Sequence, residues 1–510
     1  MLFNSFEFIF LFLPVVLLGW HVLGRSGALT SAKGWLLGCS LFFYAWWHPP
    51  HLALLLLVLG ANYFHCLAIA KQKERRRRQL LALTVTVDLL LLGFYKYSGF
   101  VSENLVAMGV HGLSPVALAL PLGISFYTFQ QIAFAVDVYR GHPAERRPVI
   151  YALVVTFFPH LIAGPILHPR KILPQFDALK SGGLRAEHMA PGLALFAMGL
   201  FKKTGIADGV ASWATPVFDS AAGTAISFLD AWTAALAYTF QIYFDFSGYS
   251  DMAIGLGWMF GLRMPVNFNS PYKARSIVDF WRRWHMTLSE LLRDYVYIPL
   301  GGNRNGPVRR HLNLMATMLI GGLWHGAGWT FILWGGCHGG ALILNHLWTQ
   351  LAGERGAAKV TVWWRREVSW ILTFGVLVGT WVIFRSGTLT RAGELLASMT
   401  GLKGVSLPPS YAALADHLGM HILFTGGGVQ SRWLVFQGVE QLFIFGLLIL
   451  WVRWMPNTQE VMGLVSEETR EIPRRWQWRP NLTWTVFVSL ALLVGILRMA
   501  RSSEFLYFQF

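Results

Sequence analysis

The sequence predicts an all-α, polytopic membrane protein. Of 510 residues, 54% are hydrophobic and only 13% charged, where soluble domains carry about 25% charged residues. Apolar runs of bilayer length, about 18 residues or more, recur along the whole chain. Basic residues gather at the ends of those runs, as the positive-inside bias requires. An open lipid-exposed sheet is excluded, because hydrocarbon cannot satisfy its edge groups. The net charge of +16 does not point to nucleic acid, since the cations follow the topology. The densest cluster, Lys71–Arg78, reads as an anchor at anionic headgroups of the lipid bilayer.

Taken in order, the apolar runs cover 8–24, 33–48, 50–70, 79–96, 115–136, 149–166, 190–206, 228–247, 311–346, 367–385, 433–452 and 482–500. The first lacks a basic leader and a small-residue cleavage site, so it reads as a retained span. The run 311–346 is long enough for two passes, with Gly321-Gly322 and Gly335-Gly336 as break points. The expectation is about 11 crossings plus re-entrant or interfacial helices. Placing Arg25, Lys33, Lys71–Arg78, Arg140, Arg146, Arg147, Arg365, Arg366 and the arginines of 470–479 in the cytoplasm puts both termini outside. That orientation requires an even number of crossings, and it makes 386–432 the largest exterior loop. Residues 140–190 and 241–310 mix Pro, Gly, aromatic and charged residues. Such irregular backbone is tolerated at membrane depth only inside protein or along a cavity, which locates the site there. The chain reads as one integral membrane unit with its core at 120–340.

Chemistry concentrates between Phe280 and His325. His285 and His325 lie 40 residues apart (325 minus 285) in Trp-rich surroundings. Ionisable groups at membrane depth mark functional sites by default. A neutral imidazole suits general-base work near neutral pH. His285 is expected on a helix, sharing a face with Trp281, Leu288 and Leu292. It could orient His325, bind a carbonyl or stabilise an oxyanion. Arg282, Arg283 and Arg293 either meet phosphates at a cytoplasmic mouth or pair with Asp279, Glu290 and Asp294. Gln241, Asp245 and Asp251 form a polar stripe that should face protein or water. No glycine-rich phosphate loop and no HExxH or CxxC pattern occurs, so no metal is expected. The three cysteines, Cys39, Cys66 and Cys337, are scattered and do not make a disulfide framework.

Six strings occur in order: Pro121–Gly141, Phe157–Pro169, Gln241–Gly257, Asn267–Tyr272, Phe280–Gly302 and Gly321–Gly335. Together they resemble the membrane-bound O-acyltransferase family, in its bacterial polysaccharide branch. That resemblance implies a rim of helices around a central funnel or tunnel. It implies His325 in LWHG as the catalytic histidine and His285 in RWHM as the second family position. Trp281, Trp284, Trp324, Arg282, Arg293, Asn269, Gln241 and Asp245 become candidates for lining the tunnel. It further implies acetyl-CoA as donor substrate, no bound cofactor, an inner-membrane location and an exopolysaccharide acceptor, alginate foremost. Cellulose or peptidoglycan as acceptor, and transport in place of catalysis, stay open. No hydrolase-like Ser-His-Asp domain is present, so a periplasmic SGNH-hydrolase-like acetyltransferase partner is expected to finish the transfer. In the tail Glu504–Phe510, Tyr507 could carry the acetyl group as an aryl ester, because phenoxide (pKa about 10) leaves more readily than an alkoxide.

Overall fold

The computed structural model is all-helical among its described residues, which are all but 113, 117, 180–182, 222, 358–362, 403–416, 418–434, 465–472, 502–504 and 507–510. The first helices are α1 (Leu13–Arg25), α2 (Leu29–Ala45), α3 (Pro49–Lys71), α4 (Glu74–Ala107) and α5 (Ile124–Tyr139). Short pieces follow: α6 (Pro148–Thr156), α7 (Phe158–Leu161) and α8 (Pro169–Ala178). The centre comprises α9 (Ala186–Leu200), α10 (Asp208–Phe218) and α11 (Phe228–Met259). Then come α12 (Ile277–Trp281), α13 (Met286–Leu292), α14 (Gly306–His325), α15 (Trp329–Ala357), α16 (Trp363–Arg385) and α17 (Leu389–Met399). The last are α18 (Val439–Trp454), α19 (Thr458–Val461) and α20 (Leu482–Arg498). Among the described residues, four helical stretches are long and apolar enough to cross a bilayer alone: Phe8–Arg25, Pro49–Lys71, Glu74–Ala107 and Trp363–Arg385.

The axis of the fold is α11, in which every residue from Ala237 to Gly257 is buried. A helix apolar around its whole circumference must be enclosed by others. Its tightest neighbour is α9, and glycines make the approach possible. A Cβ on Gly199 would sit 2.5 Å from the Gly248 carbonyl oxygen, and one on Gly255 2.5 Å from that of Gly192. Small residues at membrane helix crossings allow this backbone-to-backbone packing. Directly after α9 the helix widens into a π-turn, Phe201–Ala207. This turn delivers two buried ammonium groups to α11, Lys202 to Asp251 at 2.6 Å and Lys203 to Asp245 at 2.6 Å, and Lys203 also meets Asp208 of α10 at 2.8 Å.

Three expectations need correcting. The run 149–166 is not one span, because the chain breaks at Phe157 between α6 and α7. The run expected to begin at 115 becomes helical only at Ile124, after Gly123 in left-handed conformation (φ 69°). The break in 311–346 falls at 326–328, not at the glycine pairs. Gly322 and Gly335 instead lie within α14 and α15 where the two cross. A Cβ on either would come within 2.4 Å of a backbone carbonyl oxygen of the other helix, Phe331 or Met318.

Replacing Gly248 by Val forces side-chain atoms into the α9 backbone. We expect a loss of about 1–3 kcal/mol, the range for overpacking, seen as a lower thermal midpoint in detergent. Gly340→Ala, where a Cβ meets nothing within 4 Å, serves as the control and should leave the midpoint unchanged or higher.

Candidate active site

His325 is the last residue of α14, and Gly326 continues in extended conformation. The last turn of a helix leaves carbonyls without intrahelical partners. Here α4 supplies them. Tyr97 Oη donates to Leu323 O at 2.7 Å. Lys96 Nζ donates to Trp324 O, to His325 O at 3.3 Å and to Ser125 Oγ at 3.4 Å. A cation at a helix C-terminus also complements the helix dipole. The imidazole is buried among Trp324, Trp334 and Phe384, with ring centroids 4.9, 5.2 and 5.3 Å away. A cavity of about 90 Å³ opens beside it, lined by Lys96, residues 120–126, Ile162, Trp324 and His325. Lys96 was not among the sequence candidates. The signal available was weak, since Lys96 ends the apolar run 79–96 and Asp88 lies within the same run.

His285 does not lie on a helix face, contrary to expectation. It occupies the junction between α12 and α13 with φ 43°. It and Ser270 (φ 48°) are the only non-glycine residues with positive φ among those described. Such conformations cost about 1–3 kcal/mol each and cluster at functional sites. Backbone pairing holds this one: Asn269 N donates to Arg283 O and Met286 N to Asn267 O, both at 2.9 Å. The imidazole is then oriented by Asn267, whose Oδ1 lies 3.0 Å from His285 Nδ1 and accepts from Thr287 Oγ1 at 2.9 Å. Asn267 Nδ2 donates to Ser250 at 3.2 Å, and Ile166 N donates to Thr287 Oγ1 at 3.1 Å. This network assigns the proton to His285 Nδ1 and leaves Nε2 as the ring's acceptor nitrogen. The two imidazoles face each other at 6.4 Å between centroids, with Trp324 5.9 Å from His285.

The remaining candidates divide. Trp281 Nε1 donates to His338 Nδ1 at 3.3 Å, and Trp284 packs against Phe268 and Trp381 at 5.0 and 4.9 Å. Both belong to the aromatic wall behind the histidines. Asn269 is one step removed, bonded through Oδ1 to Asn457 Nδ2 at 3.2 Å. Asn267, two residues earlier, is the histidine's partner. Gln241 is buried on α11, one turn before Asp245. Asp245 is engaged by Lys203 and by the Leu506 backbone N–H at 3.1 Å. Arg282 is exposed, Arg283 pairs with Asp279 at 2.7 Å, and Arg293 with Asp294 at 2.7 Å. Tyr507 lies outside the described residues.

One group of potential metal ligands occurs among the described residues, His168, Glu290 and Asp294, within 4.8 Å of one another. Its carboxylates already hold Lys171 and Arg293, each at 2.7 Å. His325 and His338 do not join it; both pack on Trp334 instead.

Residues 149–354, which contain both histidines, match the membrane-bound O-acyltransferase family, MBOAT. A "Probable alginate O-acetylase AlgI" of Pseudomonas syringae is 39% identical over 100% of both chains. The chain belongs to this family. A "Peptidoglycan O-acetyltransferase" of Helicobacter pylori is 43% identical over 80% of this chain and 81% of its own. A "Teichoic acid D-alanyltransferase" of Bacillus subtilis is 25% identical over 66% and 86%. The protein is thus a multi-pass membrane O-acyltransferase, and the paired histidines are its candidate acyl-transfer centre.

Asn267→Leu removes the hydrogen bond that orients His285. The loss of one bond to a buried group, about 1–3 kcal/mol, corresponds to roughly 5- to 150-fold in acyl-transfer rate. Asn267→Asp, which keeps the acceptor oxygen, should retain more activity than the Leu variant. Lys96→Met should cut the rate at least as far, with Lys96→Arg partly restoring it; both are read at matched protein abundance in membranes.

Proposed function

We propose that this O-acyltransferase takes acetyl from cytoplasmic acetyl-CoA and passes it across the inner membrane for O-acetylation of a secreted polysaccharide. The observation that carries the reading is the juxtaposition of His285 and His325 across 6.4 Å in a buried aromatic chamber. A neutral imidazole there removes the acceptor hydroxyl's proton as its oxygen attacks the thioester carbonyl. The C–S bond then breaks and the thiolate leaves with the proton. Positioned general-base help of this kind contributes about 10²–10⁴-fold. His325, braced by Lys96, is the base, and His285, fixed by Asn267 with Nε2 left as an acceptor, orients His325 or shares the proton. Arg282, exposed, and Arg293 are suited to the phosphates of coenzyme A at the cytoplasmic mouth.

The finer topology belongs to the same proposal: arginine-rich loops in the cytoplasm and both termini outside, hence an even number of crossings, one off the expected count of about 11. A periplasmic SGNH-hydrolase-like acetyltransferase receives the acetyl group, with Tyr507 as its carrier on this chain. Alginate is the preferred acceptor, supported by the end-to-end likeness to the Pseudomonas syringae relative. Peptidoglycan is the second reading, supported by the Helicobacter pylori relative.

The test uses a deletion strain expressing wild type, His325→Ala or His285→Ala at equal membrane abundance. Acetyl esters on the secreted polymer should vanish with His325→Ala and fall strongly with His285→Ala, while polymer is still secreted. Full acetylation with His325→Ala would overturn the assignment and favour a transporter. Tyr507→Phe with undiminished acetylation would remove the carrier role.

A further inference from the structure

A second cavity, of about 740 Å³, lies against α11 and shares no lining residue with the one beside His325. It is roughly five times the size of the dry, apolar cavity of about 150 Å³ that accepts a benzene ring. Its walls are apolar, made by Met198, Phe244, Trp451, Phe487 and Ala491. It is bounded by the π-turn after α9, by α18 and by α20. Both of those helices turn large apolar side chains outward, with Leu447, Leu450, Phe487 and Leu490 each about half exposed (49, 51, 52 and 56%). Bilayer therefore faces the cavity's open side. At one end stand Arg475, Trp476, Thr483 and Trp484, with Arg474 adjacent and exposed. Tryptophan with arginine at the end of an apolar groove is the signature of the headgroup level.

We infer that this cavity binds an anionic phospholipid, with an acyl chain along Phe244, Trp451 and Phe487 and its phosphate at Arg474 and Arg475. Charge and polarity decide the occupant. The mouth offers guanidinium groups suited to a phosphate, while the interior offers hydrocarbon. The polar groups at its inner end are already engaged: Lys202 with Asp251 at 2.6 Å, and Asn457 with Ser270 at 2.8 Å and Asn269 at 3.2 Å. A pantetheine arm would bury its two amides against that apolar wall without partners, which is costly. A lipid chain carries no such groups. Ser270 and Asn269 belong to the loop whose backbone pairs with Arg283 and Met286, so a bound lipid braces the segment that holds His285. The inference rests on membrane embedding and not on the identity of the acyl donor or acceptor.

The test is native mass spectrometry of the full chain purified from membranes containing phosphatidylglycerol and phosphatidylethanolamine. Wild type should retain one phosphatidylglycerol. Ala491→Trp, which fills the cavity, should retain at least tenfold less. Arg474→Gln combined with Arg475→Gln should abolish the preference for phosphatidylglycerol over phosphatidylethanolamine. Thr483→Trp at the mouth replaces Ala491→Trp should the latter lower the thermal midpoint. Equal retention by wild type and the filled variant overturns the inference. So does displacement of the lipid by acetyl-CoA, which would mark the cavity as the donor's path.

Discussion

A buried helix needs internal partners for the charged groups it carries, because neither water nor lipid can supply them. For α11 this requirement organises the surrounding irregular chain. The Thr239 carbonyl accepts from Tyr272 Oη at 2.6 Å. Asp245 binds Lys203 and the Leu506 N–H. Ser250 accepts from Asn267, and Asp251 binds Lys202 and Gln459. Each partner comes from a segment that is not a regular spanning helix: 201–207, 267–273, 455–464 and 505–506. Removing one member of such a buried ion pair typically costs about 3–5 kcal/mol, since the other charge is left uncompensated. The placement of Asn267, and through it His285, is therefore a consequence of α11's polar stripe.

The two histidines are held by different means. His325 ends a regular helix whose terminal carbonyls are tied to α4, so its position follows from helix packing. His285 sits in a strained backbone junction sustained by pairing with 267–269. A site built on rigid elements is more exact than one on loops, and here the loop half is made rigid by antiparallel backbone hydrogen bonds and by Asn267. The strain at His285 and Ser270 is affordable only because these contacts over-determine the backbone.

Much of this was legible in the sequence, and the failures have physical reasons. The helical membrane class and both histidines were readable because charge and imidazole are rare in apolar runs. Asp245 and Asp251 were recognisable as buried polar groups for the same reason. The partner of His285 was not: Asn267 and Asn269 sit in one short string, and only the fold decides which of them reaches an imidazole. Periodicity across 281–292 suggested a single helix, because the break at His285 is imposed by tertiary pairing and has no glycine or proline to announce it. The opposite error occurred at Gly321-Gly322 and Gly335-Gly336. Glycine pairs suggest hinges in the sequence, yet helix crossing is what requires them. Lys96 escapes notice in the sequence because it stands at the end of the run 79–96, where cations at headgroup level are common.

The ring of Tyr249 links the extremes of the chain. Phe3 stacks on it at 4.7 Å and Phe505 at 4.5 Å, and the neighbouring Leu506–Asp245 hydrogen bond spans 261 positions. During synthesis α11 therefore enters the bilayer long before the residues that complete its surroundings have left the ribosome. Until then one oxygen of Asp245 lacks its backbone donor, and Tyr249 is covered by Phe3 without Phe505. A chain lacking Phe505 and Leu506 keeps that seam open beside Tyr249 and Asp245.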